Sequence, residues 1–139
     1  MTRLNQKIAL ITGASRGIGA AVAKRFAAEG AHVILSGRTV GGLEAVDDEI
    51  QKITGKPATI VPLDLRQMDM IDSLGAQIYE RFGKLDILVG NAATLGTLSP
   101  LAHANPAEFE DVMTINVTAN YRLLRTLDPL LRLAKAGRV

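Results

Sequence analysis

Apolar and polar positions along this chain follow two rhythms. Continuous apolar runs occur at Ile8-Ala9-Leu10-Ile11, Val33-Ile34-Leu35, Thr59-Ile60-Val61 and from Leu85 to Val89. Short runs of this kind, apolar on both faces, predict buried strands. Between them the apolar residues step by three and four. Ile18, Ala21, Val22 and Phe26 share one helical face from Gly17 to Glu29, and Gly30 stands at the usual C-terminal glycine position. Leu43, Val46, Ile50 and Ile53 predict a second helix over residues 40–54, stopped by Gly55 and Pro57. Ile71, Leu74, Ile78 and Phe82 predict a third, closed by Gly83.

Residues 91–105 are small or polar and predict a long loop, of the sort that carries sites. A last helix is expected from Pro106 to Leu133. Proline suits its first turn, whereas Pro129 should kink or end it. The resulting order β-α-β-α-β-α-β-α predicts a parallel sheet covered by helices on both faces. With right-handed crossovers this is a doubly wound α/β fold, in one domain over residues 1–139.

Composition narrows the function more than the fold. The 139 residues are 47% hydrophobic and 22% charged, ordinary values for a globular domain. A net charge of +2 gives no electrostatic case for nucleic acid, and 4% aromatic residues without tryptophan give no stacking platform. Arg122, Arg125, Arg132, Lys135 and Arg138 read as a solvated helix face. Without cysteine there is no disulfide, thiolate catalysis or zinc–thiolate site, and no metal is expected. No apolar run is long enough to span a bilayer and the N-terminal stretch is too short for a signal peptide, so the expected location is cytoplasmic.

The informative chemistry lies in residues 11–20, ITGASRGIGA. Gly13-Ala14-Ser15-Arg16-Gly17 spells G-x-S-x-G, the nucleophile elbow of serine hydrolases. The same stretch places Gly13, Gly17 and Gly19 between the first strand and the first helix. A dinucleotide loop needs glycines there for a tight turn, for close approach of backbone to a pyrophosphate, and for helix–strand packing. The helix N-terminus then offers free N–H groups to the phosphates. A hydrolase would further need an acid and a histidine; Asp86 and His103 could be paired by spacing alone. A third reading is a tight turn with no ligand.

Thr12-Gly13-Ala14-Ser15-Arg16-Gly17-Ile18-Gly19 resembles the T-G-x-x-x-G-x-G signature of the short-chain dehydrogenase/reductase family. Asp64 stands where that family has an Asp contacting adenine. Asn91-Ala92 resembles the core of its N-N-A-G motif, with Gly90 in place of the first Asn and Ala93 in place of the Gly. Asn116, in MTINVTAN, matches the helix Asn that holds a water in the family's proton relay. The resemblance implies a Rossmann domain. Gly13, Ser15, Arg16, Gly17, Ile18 and Gly19 would hold the cofactor phosphates, Arg38 a 2′-phosphate, Asp64 the adenine, and Asn91 with Ala92 the nicotinamide side. Asn116 would be the catalytic residue present. Cofactor choice has a physical basis: an acid after the second strand binds the ribose 2′-OH of NAD. Here the strand ends Ser36-Gly37-Arg38-Thr39, and Arg16 and Arg38 suit the extra phosphate, so NADP is expected over NAD.

The resemblance also implies a Ser and a Tyr-x-x-x-Lys beyond a fifth strand, where this chain reads Gly137-Arg138-Val139. Tyr79 has Lys84 one residue too far along, and Tyr121 has Arg125 at the right spacing but shares a helix with Asn116; both are expected to be packing residues. The expectation is a cofactor-binding half, truncated before the fifth strand, of an oxidoreductase acting on a small carbonyl/alcohol substrate. The alternative is a non-catalytic nucleotide-binding or interaction domain. The fourth strand is expected to be an open edge and the last helix to expose apolar surface, which together predict a homo-oligomer.

Overall fold

The computed structural model describes residues 2–139. The four strands are β1 (Ile8–Ile11), β2 (His32–Gly37), β3 (Thr59–Pro62) and β4 (Ile87–Val89). They form one parallel sheet in the order β3-β2-β1-β4. Ile8 to Ile11 lie in register with His32 to Leu35 on one side, and Ala9 to Ile11 with Ile87 to Val89 on the other. The helices are α1 (Gly17–Ala28), α2 (Val40–Thr54), α3 (Met68–Phe82), α4 (Pro106–Met113) and α5 (Ala119–Leu133). The chain order reverses direction across the sheet between β1 and β4, which opens a crevice at the C-terminal ends of those strands.

Alternation along β1 divides the core into two layers. Ala9 and Ile11 face α1 and α2 with Ala23, Leu43, Val46 and Ile50, whereas Leu10 faces α3 and α5 with Ile71, Leu74, Leu123 and Leu127. The doubly wound reading of the sequence therefore holds; α2 buries Leu43, Val46 and Ile50 and α3 buries Ile71, Leu74 and Ile78 as their periodicity indicates, whereas Ile53 at the end of α2 is 55% exposed and Phe82 at the end of α3 is half-buried. Helix α1 differs. Its buried face is Gly19, Ala20, Ala23 and Ala27, while Ile18 is 75% exposed. Small residues were needed on this face because the helix starts in contact with the loop before it. A Cβ at Gly19 would lie 2.6 Å from Asn91 Nδ2 and nearer still to the Gly13 carbonyl oxygen.

Two other differences concern the end of the chain. The helix expected over residues 106–133 is interrupted by a π-helical turn, Thr114–Thr118, and Pro129 lies inside α5 without ending it. Leu127 and Leu130 on either side of Pro129 are buried against the α3 layer, and that packing outweighs the loss of one helix hydrogen bond. Nor is β4 an open edge along its whole length. Leu88 N donates to Arg138 O at 3.0 Å and Arg138 N to Asp86 O at 2.9 Å, a parallel bridge from the last residues. Among the described residues no helix is long and apolar enough to cross a membrane.

Candidate functional site

A cleft of about 360 Å³ opens at the C-terminal ends of the strands. Its floor is the loop between β1 and α1. Gly13 and Gly17 both have positive φ, +62° and +58°, a conformation in which a Cβ is strained. Helix α1 then begins without a side-chain cap and without an acidic residue in its first turn. Its leading N–H groups therefore keep their partial positive charge available to an anion.

The loop is fastened to β4 by polar groups that the structure buries. Thr12 is 1% exposed, and its Oγ1 accepts from both Asn91 N and Ala92 N at 3.0 Å. Asn91 Nδ2 donates to Thr12 O at 3.1 Å and Gly13 O at 3.2 Å. Asn91 thus lines the cleft while its amide group is committed to holding the glycine loop. Ala14 N donates to Ser36 O at 3.0 Å, tying the same loop to β2. The loop is braced from both neighbouring strands, as a site that must be rigid before its ligand arrives requires.

Of the residues singled out by sequence, Gly13, Ser15, Arg16, Arg38, Asp64, Asn91 and Ala92 come together in this cleft. Gly17 and Ile18 stand exposed at the first turn of α1, and Gly19 is buried behind the loop. Asn116 sits in the π turn, outside the lining. Its Oδ1 accepts from Thr94 N at 2.9 Å and its Nδ2 donates to Thr94 O at 2.8 Å, so it braces the wall that Thr94 forms.

Sequence reasoning missed Arg66 and Asp111. Arg66 closes on Asp64 through three contacts: backbone N and Nε to Oδ1 at 3.0 and 3.1 Å, and Nη2 to Oδ2 at 3.0 Å. Its Nη1 is 3.6 Å from Asp111 Oδ1 on α4, so it joins the end of β3 to α4 across the rim. The Arg66 guanidinium, with a smaller contribution from Arg38, holds the Asp64 carboxyl below its ordinary range. The D-x-R spacing was the one available signal; Asp111 had none, because it comes from a helix 45 positions further along.

The hydrolase geometry does not assemble. No histidine lines the cleft among the described residues. His32 pairs with Thr59 Oγ1 at 2.7 Å, and His103 lines a separate cavity with Glu108 and Phe109. Asp86 lies at the opposite end of the sheet, 1% exposed, accepting from Ile8 N at 2.8 Å and 2.9 Å from Lys84 Nζ. The two tyrosines are not the packing residues expected: Tyr79 and Tyr121 are 57% and 61% exposed. Neither touches the sheet core, because helix periodicity points both outward from faces already filled by leucine and isoleucine.

A glycine loop between a strand and an uncapped helix, at the switch point of a doubly wound parallel sheet, defines the Rossmann class of domain. The chain matches the family model described as short chain dehydrogenase over residues 7–139, and it belongs to that family. It is 38% identical to the uncharacterized oxidoreductase YciK of Escherichia coli K12, over 96% of this chain and 54% of that protein. It is 40% identical to the fatty acyl-CoA reductase of Acinetobacter baylyi, over 96% of this chain and 45% of that one. A metagenomic short-chain oxidoreductase solved in complex with NADP superposes with a TM-score of 0.90 at 38% identity, covering 96% of this chain and 60% of that structure. The chain thus spans about half the length of the curated relatives it matches.

Proposed function

We propose that this chain binds NADP(H) and forms the cofactor half of an oxidoreductase that moves hydride between the nicotinamide and a small carbonyl/alcohol substrate. The observation that carries this reading is the convergence of two arginines, Arg16 and Arg38, on a cleft whose β2 end holds no carboxylate. An adenosine 2′-phosphate there would meet guanidinium donors, the nearest cleft carboxylate, Asp64, being held by Arg66 at the end of β3. The residues fit the dinucleotide in other respects. Gly13, Ser15, Gly17, Ile18 and Gly19 would present backbone N–H groups to the pyrophosphate, Asp64 would accept from the adenine, and Asn91 with Ala92 would border the nicotinamide ribose. When bound, the dinucleotide supplies the hydride chemistry; these residues bind and orient it.

No tyrosine or lysine is among the cleft-lining residues, which favours binding over turnover at this cleft. Asn116, whose side chain is engaged by Thr94, contributes to the reacting end as a support for that wall and for the relay.

The test is a fluorescence titration with NADPH and NADH on the chain and on Arg38→Ala. Losing a guanidinium–phosphate pair costs about 1.5–3 kcal/mol, so Arg38→Ala should weaken NADPH roughly 10- to 100-fold and leave NADH nearly unchanged. Equal affinity of the unmutated chain for the two cofactors would sink the NADP preference. Absence of binding to either would sink the functional reading, and carbonyl reduction by the chain alone would overturn the claim of binding without turnover.

A further inference from the structure

Gly90 follows β4 and immediately precedes the Asn91-Ala92 wall of the cleft. Its φ is unexceptional, so the backbone does not call for glycine. Space does: a Cβ at this position would lie 2.8 Å from Oδ1 of Asn120. Asn120 is in the first turn of α5, half-buried, and its Nδ2 donates to the Asn116 carbonyl oxygen at 2.9 Å. The bond reaches back four residues into the π turn. Such turns depart from the regular backbone pattern and are often found where a helix shapes a site. Asn116 in turn clamps both backbone groups of Thr94. A polar path therefore runs from Asn120, seated beside Gly90 at the end of β4, through Asn116 to the cleft wall.

We propose that Asn120 is a positioning residue for the nicotinamide end of the cleft, acting through Asn116 on the backbone of Thr94, and that Gly90 is small in order to admit it. The proposal rests on the NADP(H) reading for the identity of the ligand, but not for the existence of the latch. Position 90 is where the family pattern has asparagine and this chain has glycine. The space in the direction of that missing side chain is filled from α5 instead, so the amide beside β4 is supplied by a different element.

The geometry allows a perturbation that spares the fold. The atom a Cβ at position 90 would meet is the end of a side chain, not backbone. Gly90→Ala should therefore push Asn120 off the Asn116 carbonyl without displacing a strand. Asn120→Ala removes the same bond directly. Either variant should weaken NADPH binding about three- to tenfold, the equivalent of one hydrogen bond, and the double variant no more than the single ones. Binding of adenosine 2′,5′-bisphosphate, which lacks the nicotinamide half, should be unchanged in all three. In the ligand-free chain, hydrogen exchange at the Thr94 amide should accelerate in each variant.

Equal weakening of both ligands would mean a general structural loss and would overturn the proposal. So would additive effects of the two substitutions, or NADPH affinity that does not move. Unchanged exchange at Thr94 would overturn the latch whatever the ligand results. If the unmutated chain binds neither ligand, the functional reading fails and the cofactor-positioning role fails with it, while faster Thr94 exchange in the variants would still show the mechanical path.

Discussion

Gly19→Ala and Gly17→Ala look alike in sequence and should behave differently. At Gly19 the backbone is helical, and the difficulty is crowding: the added Cβ would sit 2.6 Å from Asn91 Nδ2 and 2.9 Å from the Gly13 carbonyl carbon. Gly13 is backbone and cannot swing aside. Overpacking of this kind costs about 1–3 kcal/mol. Displacing Asn91 also weakens its bonds to Thr12 O and Gly13 O, each contributing about 0.5–1.5 kcal/mol. The total is roughly 2–6 kcal/mol, a large part of the ~5–15 kcal/mol that holds a domain folded. At Gly17 no atom lies within 4 Å of the added Cβ, and the cost comes from φ alone, +58°. That strain is about 1–2 kcal/mol for alanine and less for asparagine, which tolerates the left-handed region. A third position serves as control. Gly41 is in the first turn of α2 with open space around it, so Gly41→Ala should stabilise by about 0.5–1 kcal/mol. Urea unfolding followed by circular dichroism ranks the set, and the expected order of midpoints is Gly41→Ala, unmutated, Gly17→Asn, Gly17→Ala, Gly19→Ala. A midpoint for Gly19→Ala at or above that of Gly17→Ala would refute the reasoning, because it would mean the contact between loop and helix gives way without cost.

Two further outcomes concern the far end of the sheet. Asp86→Leu leaves the Ile8 N–H without its acceptor and strands Lys7 and Lys84, so a loss of about 2–4 kcal/mol is expected by the same urea assay; Asp86→Asn keeps an acceptor for Ile8 and should cost clearly less. Burial, and after it the charge of Arg81, holds the His32 imidazole below its ordinary value of 6.5, so the unfolded chain binds the proton more readily than the folded one. The contribution of His32 is thus intact above about pH 6.5 and is lost as pH falls through the folded value; His32→Phe should flatten the decline in midpoint between about pH 7 and pH 5, and an unchanged decline would refute the assignment.

Much of the site was legible locally. The apolar periodicity set out the elements and their alternation, and the spacing of Gly13, Gly17 and Gly19 placed a tight glycine loop between β1 and α1. Pro106 marked the start of α4 in the same way, and the structure adds a cap there, Asn105 Oδ1 accepting from Ala107 N at 2.9 Å. These features depend on residues within a turn or two of each other, so composition and spacing suffice to specify them. Where periodicity misled, tertiary contact was the cause. The face of α1 that is buried is its small-residue face, because the helix must approach Gly13 and Asn91 closely; the survival of α5 through Pro129 answers to packing on α3.

What the sequence determined by itself is the order of elements, the α/β class and the loop that would meet a pyrophosphate, since each is encoded by short-range sterics and hydrogen-bond supply. What only the tertiary structure decided is which distant side chains share a task. Arg66 bridges Asp64 to Asp111, Asn91 spends its amide on the loop rather than leaving it free, and Asn120 occupies the space that Gly90 vacates. Such pairings have no spacing rule, because the residues meet only after the crossovers have folded the chain back on the sheet, and their energies depend on distances of a few tenths of an ångström that no periodicity records.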